Sequence, residues 1–156
     1  MDTLRIRKME AAELAGVVAV WRRAREQAMP ALEARLAHSE HDDLRFFGER
    51  VAREHEVFVA LRQGLPVGVL ALAEGRVGQL YVDPPAQSRG VGTALLDLAK
   101  RRSPAGLSLF THQANRRARA FYERRGFRAV GFGTSPPPES EPDVEYRWDP
   151  EQEACG

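Results

Sequence analysis

The amino-acid sequence predicts a mixed α/β fold in which helices cover both faces of a central sheet. Apolar residues recur at helical spacing in four segments, and strand-like apolar or alternating runs lie before, between and after them. The predicted order is β-α-α-β-β-β-α-β-α-β-β. This order gives about seven strands and four helices in three layers, helix, sheet and helix.

Composition indicates one globular domain. Of the 156 residues, 43% are hydrophobic and 29% are charged, and a chain of this size buries roughly two-thirds of its unfolded surface. We expect one domain over residues 1–149 and a flexible tail over 150–156. The formal net charge is +1, so the overall positive field typical of nucleic-acid-binding proteins is absent and no nucleic-acid partner is expected.

The expected compartment is a reducing cytoplasm. The only cysteine is Cys155, which argues against an internal disulfide and against most cysteine-based metal sites. The first residues lack the apolar core of a signal peptide, and the apolar run Leu14–Trp21 is too short to span a bilayer. No membrane partner is expected, and the sequence leaves a homodimer open.

The N-terminal segment predicts a strand and two helices. Leu4 and Ile6 alternate with arginines, which indicates a half-exposed strand. A first helix is expected from about Ala11 until Pro30 ends it, and residues 31–43 are expected to form a polar connector. The second helix follows, with an aspartate N-cap and a buried stripe of Leu44, Phe47 and Val51.

Acidic and histidine side chains cluster where the second helix begins, at His38, Glu40, His41, Asp42 and Asp43. Such residue types can bind a metal ion. Solvated side chains and a helix cap explain the same residues, so no metal site is predicted.

Three strands are expected to form a meander in the middle of the chain, over 57–61, 66–73 and 77–82. After a glycine-containing loop come a helix that ends near Ser103 and a strand over Leu107–His112. Asn115 is placed to cap a last helix, and Gly126 lies where a helix C-terminus favours positive φ. Two strands, 129–133 and 144–148, flank an acidic, proline-rich loop, Thr134–Asp143.

The glycine-containing loop has the sequence QSRGVG, Gln87–Gly92, and leads from a buried strand into a helix. Gly90 and Gly92 lack a Cβ and allow backbone amides to converge on one point. The positive end of the following helix is directed at the same point, and Arg89 adds a cation that can grip phosphate. The loop alone predicts a phosphate-bearing ligand or an ordinary tight turn.

Three segments together resemble the GNAT (Gcn5-related) N-acetyltransferase family. They are QSRGVG, which fits the Q/R-x-x-G-x-G/A acetyl-CoA loop, LYVDP (Leu80–Pro84) before it, and NRRARAFYERRGF (Asn115–Phe127) after it. The resemblance covers the chain from its first strand to its last. It implies a GNAT-like, mixed and mostly antiparallel sheet, with the strand 77–82 splayed from Leu107–His112.

The resemblance also implies acetyl-CoA as cosubstrate and a primary amine as acceptor. The pantetheine arm of acetyl-CoA would pair with the backbone of Leu80, Tyr81 and Val82. The pyrophosphate would sit on the backbone amides of Arg89, Gly90, Val91, Gly92 and Thr93. Gln87 and Ser88, which precede them in the loop, would also belong to the cofactor site. Asn115 would cap its helix, contact the cofactor or do both. Arg119, a cation near a helix N-terminus, opposes the helix dipole and would gain from a nearby phosphate, although a solvated face explains it too.

The resemblance assigns the general acid to Tyr122, whose phenol could protonate the departing thiolate, and the alternative is a core aromatic residue. It does not supply a general base. Many relatives carry a glutamate on the strand before LYVDP, but this chain has Val77, Gly78 and Gln79 there. The candidates that remain are His112, Glu139, Glu141 or a chain of water molecules.

The sequence therefore predicts an N-acetyltransferase that acts by direct attack, since Cys155 in the tail is not placed to form a covalent intermediate. Glu139, Glu141 and Asp143 on the acidic loop would favour a cationic acceptor. An ordinary solvated loop explains them equally. The alternative function is a non-catalytic acyl-CoA-binding or sensing module with the same fold, which the missing strand glutamate would favour.

Overall fold

The structure, a computed structural model, describes residues 3–151, and seven strands of this part form one sheet. They are β1 (Leu4–Lys8), β2 (Glu56–Arg62), β3 (Leu65–Ala73), β4 (Arg76–Val82), β5 (Leu107–His112), β6 (Arg128–Thr134) and β7 (Pro142–Trp148). Their spatial order is β1-β2-β3-β4-β5-β7-β6. Every neighbouring pair is antiparallel except β4–β5. The predicted mixed, mostly antiparallel sheet is confirmed; the predicted tail lies mostly outside the described residues.

Within residues 3–151, five continuous helices flank the sheet where the sequence predicted four, and one of the five consists of two labelled segments. The helices are α1 (Leu14–Ala28), α2 (Pro30–Leu36), the continuous helix formed by α3 (Glu40–Phe46), a π turn (Phe47–Val51) and α4 (Ala52–Glu54), and finally α5 (Val91–Arg101) and α6 (Arg116–Glu123). The prediction of a polar connector over 31–43 was wrong, because α2 and the first turn of α3 occupy most of this segment. Pro30 ends α1 but also occupies the first turn of α2, where its missing amide costs nothing.

The cap of α3 also differs from the prediction. Ser39, rather than an aspartate, is the N-cap residue, and its hydroxyl accepts from the Asp42 amide at 3.0 Å. The Asp42 carboxylate accepts in turn from the Ser39 amide at 3.0 Å, which completes a capping box. Within residues 3–151, no helix is long and apolar enough to cross a membrane.

Two apolar cores lie on opposite faces of the sheet, which is the predicted three-layer arrangement. One contains α5, α6 and the inner residues of β5 and β7, with Leu95, Leu107 and Tyr146 fully buried. The other contains α1 and the helix that runs from α3 to α4, with Val17 and Phe47 fully buried. The sheet therefore separates the helix that follows the glycine loop from the first helix of the chain.

β4 and β5 meet at one end and then diverge. The only residue pair that joins them is Arg76 with Ser108, although β5 pairs with β7 over its whole length. Just after Arg76, β4 carries a bulge: Leu72 of β3 is opposite Val77 and Ala71 is opposite Gln79, so Gly78 is left over. A bulge bends a strand and increases its twist, and here it begins where β4 leaves β5.

The α6 cap and the α6 end match the predictions. Asn115 Oδ1 accepts from the Ala118 amide at 3.1 Å, and Gly126 has a φ of +90°. Replacing Asn115 with alanine leaves this amide without its cap, so we expect the free energy of unfolding to fall by about 1 kcal/mol. Urea denaturation measures the change. The N115S variant, which can still cap, should lose less than half as much; an equal loss in both would contradict the capping role.

Candidate active site

A cavity of about 790 Å³ occupies the space between the diverging strands. Leu80, Tyr81 and Val82 of β4 line one side, and Phe110 and Thr111 of β5 line the other. Phe110 is 57% exposed, which is unusual for a large apolar side chain in mid-strand. The cavity can therefore admit an extended ligand along the unpaired edge of β4.

The glycine loop closes one end of this cavity. Ser88 and Gly90 both have positive φ values, of 63° and 87°, so the chain turns sharply before α5. Gly90 is the N-cap residue of α5 and has no side chain to occupy the helix's first amides. Gln87 Nε2 donates to the Val82 carbonyl at 3.0 Å and to Gln27 Oε1 at 2.8 Å, which fastens the loop to β4 and α1.

The side chains around the same end are cationic. Among the described residues that line the cavity are four arginines and no carboxylate; the arginines are Arg116, Arg117, Arg124 and Arg125. Arg117 donates to Ser88 Oγ at 3.2 Å. Arg125 stacks on Phe121 at 3.9 Å and donates to Thr93 Oγ1 at 2.7 Å. The cavity thus combines uncapped amides with positive charge, as a phosphate ligand requires.

The structure brings together most of the predicted cofactor residues but not all of them. Arg89 and Val91 do not line the cavity, and Val91 is buried in the core. Arg119 also lies elsewhere: its Nε donates to Tyr146 Oη at 3.0 Å, and this hydroxyl donates to Glu123 Oε2 at 2.6 Å. Arg119 therefore anchors α6 to β7.

Tyr122 forms part of the cavity wall from α6 and is 7% exposed. Its phenol has no hydrogen-bond partner within residues 3–151. Burial, with a smaller contribution from Tyr81, raises the pKa of the Tyr122 phenol well above its ordinary value. The side chain therefore holds its proton firmly and presents it to the cavity without competition from another acceptor.

The predicted candidates for a general base, His112, Glu139 and Glu141, all lie beside partners. Gln79, which occupies the segment where many relatives carry a glutamate, accepts from Trp21 Nε1 at 3.0 Å. Glu141 pairs with Arg35 at 2.9 Å, and Glu139 pairs with Arg25 at 3.2 Å. His112 Nε2 lies 3.6 Å from Glu139 Oε1, and its Nδ1 is buried without a partner. Within residues 3–151, His112 is thus the candidate with a polar side-chain atom, the buried Nδ1, that has no hydrogen-bond partner.

Sequence reasoning missed two residues beside this site, Arg25 and Glu33. Arg25 Nε donates to Glu33 Oε1 at 2.6 Å, and Glu33 belongs to α2, the helix that was predicted as a connector. The sequence signal for this pair was weak, because it consisted only of an arginine near the end of α1 that lies eight residues before a glutamate. Helical periodicity across Pro30 could have revealed it.

Comparison with known proteins agrees with the geometry. A family model described as an acetyltransferase (GNAT) domain matches residues 53–129, a segment that contains the diverging strands, the glycine loop and Tyr122. The chain belongs to the GNAT acetyltransferase family. The family uses acetyl-CoA as cosubstrate, and the chain is an N-acetyltransferase.

Curated relatives are similar over most of their length. The peptidyl-lysine N-acetyltransferase YjaB of Salmonella typhimurium is 27% identical over 129 residues, which are 82% of this chain and 86% of that protein. The peptidyl-lysine N-acetyltransferase YiaC of Escherichia coli K12 is 27% identical over 126 residues, 80% of this chain and 84% of that protein.

Solved structures share the fold. The solution structure of apo YjaB from Escherichia coli superimposes with a TM-score of 0.73 at 23% identity, over 94% of this chain and 97% of that one. A crystal structure of a GCN5-related N-acetyltransferase from Rhodopseudomonas palustris gives a TM-score of 0.75 at 24% identity, over 96% of this chain and 97% of that one.

The conformation of Gly90 provides a test of the loop. Alanine at Gly90 or at Gly64, a hairpin glycine with a φ of +74°, would meet no atom within 4 Å. Each substitution should cost about 1 kcal/mol of stability through backbone strain alone. We expect only G90A to weaken acetyl-CoA binding, by roughly five- to tenfold in calorimetric titration, because the amides would turn away from the cavity. Equal affinities for G90A and G64A would contradict the role of this loop.

Proposed function

We propose that this chain acetylates the side-chain amine of lysine in a peptide or protein, with residues 1–149 as its catalytic domain and the cytoplasm as its compartment. Two relatives that match over most of their length are named as peptidyl-lysine N-acetyltransferases. The observation that carries the mechanism is the phenol of Tyr122, which lies in the wall of the cavity between β4 and β5 and has no hydrogen-bond partner in the described part of the chain. No observation favours the alternative of a non-catalytic acyl-CoA-binding module.

Acetyl-CoA supplies the acetyl group as an activated thioester. The residues present fit this cosubstrate: the α5 amides and nearby arginines would hold its phosphates, and the unpaired edge of β4 at Leu80–Val82 would hold its arm. Val82 contributes to this edge although its carbonyl already accepts from Gln87. Arg117 would contribute from α6, since it already donates to Ser88 of the loop.

The acceptor enters as an ammonium and must lose two protons in all, while the departing sulfur must gain one. The first proton leaves before the nitrogen attacks, and His112 or a water molecule takes it. The new N–C bond then replaces the C–S bond, and Tyr122 Oη gives its proton to the departing sulfur. The acylated nitrogen loses its second proton to water, and the phenolate is reprotonated from solvent.

A thiol-release assay tests the function. Acetyl-CoA is incubated with the protein and a panel of amines: a lysine peptide with a blocked N-terminus, the same peptide with its N-terminus free and lysine acetylated, and a small diamine. We expect the first to release CoA fastest. Release with the free N-terminus alone would overturn the lysine assignment, and binding of acetyl-CoA without amine-dependent release would favour the non-catalytic module.

Replacement of Tyr122 with phenylalanine removes the proton donor and keeps the ring contacts with Phe121 and Phe127. General acid catalysis contributes about 10²- to 10⁴-fold, so we expect kcat to fall at least 100-fold while the affinity for acetyl-CoA is retained. Stopped-flow thiol release measures the rate and calorimetry the affinity. A Y122F variant with a normal kcat would reduce Tyr122 to a core residue.

The raised pKa of Tyr122 also predicts the alkaline pH profile. A phenol ordinarily titrates near pH 10, and burial moves the pKa of Tyr122 upward, so its acid form persists to higher pH. The lysine acceptor loses its proton increasingly as the pH rises toward about 10.4. We therefore expect kcat/KM to rise from pH 7 to 10 without a descending limb. A fall between pH 8 and 10 in protein that circular dichroism shows to be folded would contradict this.

A further inference from the structure

Three charged side chains form a compact group on the α1 side of the sheet, and we call Arg25, Glu33 and Glu139 the Arg25 cluster. Arg25 Nε donates to Glu33 Oε1 at 2.6 Å, and its Nη2 donates to Glu139 Oε2 at 3.2 Å. The guanidinium also lies 4.9 Å from the ring centroid of Trp21. Arg25 therefore joins α1 to α2 and to the loop between β6 and β7.

The Arg25 cluster spans the gap that leads to the cavity. On the β4 side, Tyr81 interacts electrostatically with all three of its members. On the β5 side, Glu139 Oε1 lies 3.6 Å from His112 Nε2. Tyr81 also lines the cavity, as Tyr122 does. The cluster thus lies beside the cavity wall at Tyr81 and beside the end of β5 at His112.

The charges of the cluster do not balance. Two carboxylates surround one guanidinium, so one negative charge remains, and the side chains of Arg25, Glu33 and Glu139 are only 16%, 22% and 29% exposed. Burial alone would lower the pKa of Arg25, but Tyr81, Glu33 and Glu139 outweigh it and raise that pKa, so the guanidinium stays charged. An excess negative charge in a partly buried place is costly unless a cation joins it.

We propose that Arg25 is a positioning residue for acetyl transfer: it holds the Glu139 carboxylate at the gap between β4 and β5, where Glu139 receives the ammonium of the acceptor. The proposal rests on the proposed function, because the ammonium is that of the lysine acceptor. It makes Glu139 the residue that determines charge specificity. An amine with a carboxylate on the neighbouring carbon is disfavoured, because its carboxylate would approach Glu33 and Glu139.

Arg35 provides a matched control on the same loop. It ties α2 to residues 138–141 through the Pro138 carbonyl at 3.2 Å, the Glu139 carbonyl and the Glu141 carboxylate at 2.9 Å. Its side chain is 49% exposed, and it does not contact the Glu139 carboxylate. Loss of Arg35 therefore loosens the loop without removing the partner that orients this carboxylate.

The experiment compares R25M, R25K, E139Q, the double variant R25M/E139Q and R35M with the wild type. Steady-state thiol release with a lysine peptide gives KM for the peptide, KM for acetyl-CoA and kcat. We expect R25M and E139Q each to raise the peptide KM at least tenfold and to leave the acetyl-CoA KM within twofold. R25K should recover part of the loss, because it keeps the charge but not both contacts. The double variant should be no worse than E139Q alone, and R35M should change the peptide KM less than threefold.

Two results would overturn the proposal. If R35M raised the peptide KM as much as R25M does, loop anchoring would be the whole effect. If R25M or E139Q raised the peptide KM and the acetyl-CoA KM equally, the effect would not be specific to the acceptor. Thermal denaturation followed by circular dichroism checks that each variant is folded. If R25M does not fold, the peptide KM of E139Q, which preserves side-chain volume, decides whether the proposal stands. Failure of the proposed function would look different, since the wild type itself would then release no CoA with the lysine peptide.

Discussion

The site depends on one irregularity in the sheet, the bulge at Gly78 where β4 leaves β5. A Cβ at Gly78 would lie 2.2 Å from His55 Nε2, so only glycine fits beneath this imidazole. His55 is fixed in turn, because its Nδ1 lies 3.0 Å from the Val51 carbonyl at the end of the π turn. The bulge bends β4 immediately after its single pair with β5, Arg76 with Ser108. If pairing continued along both strands, ladder hydrogen bonds would fill the cavity.

Divergence of the strands also separates a positively charged region of the site from a negatively charged one. On the α5 and α6 side, uncapped amides and four arginines line the cavity with no carboxylate among the described lining residues. On the α1 side, the carboxylates of Glu33 and Glu139 exceed the charge of Arg25. For the proposed function, this arrangement would attract an anionic cosubstrate and a cationic acceptor to opposite faces of one sheet. The gap between β4 and β5 is where they would meet.

Local signals made much of this predictable. Asn115 caps α6 and Gly126 takes a positive φ because both requirements lie within one or two turns of the chain. The loop from Gln87 to Gly92 is similar, since its glycines and the following helix are contiguous. The Arg25 cluster is different: Glu139 is 114 residues from Arg25, and α2 was hidden because Pro30 was interpreted as a stop. The contact of Arg119 was not predictable for a related reason, because its partner Tyr146 is on a strand whose position only the sheet order reveals.

The burial of Tyr122 has two effects that oppose each other. It raises the pKa of the phenol, which makes the phenol a weaker acid, but a thiolate that forms in the same water-poor cavity is destabilised for the same reason. Proton transfer moves the negative charge from the sulfur to the phenol oxygen within one cavity, so the two effects largely offset each other and the raised pKa does not by itself prevent the proposed transfer. The arrangement requires α6 to stay fixed, and the hydrogen bonds from Arg119 to Tyr146 and from Tyr146 to Glu123 fasten it to β7. Tyr146 lies 6.2 Å from Tyr122, ring centroid to ring centroid, so this anchor lies directly beside the proposed proton donor.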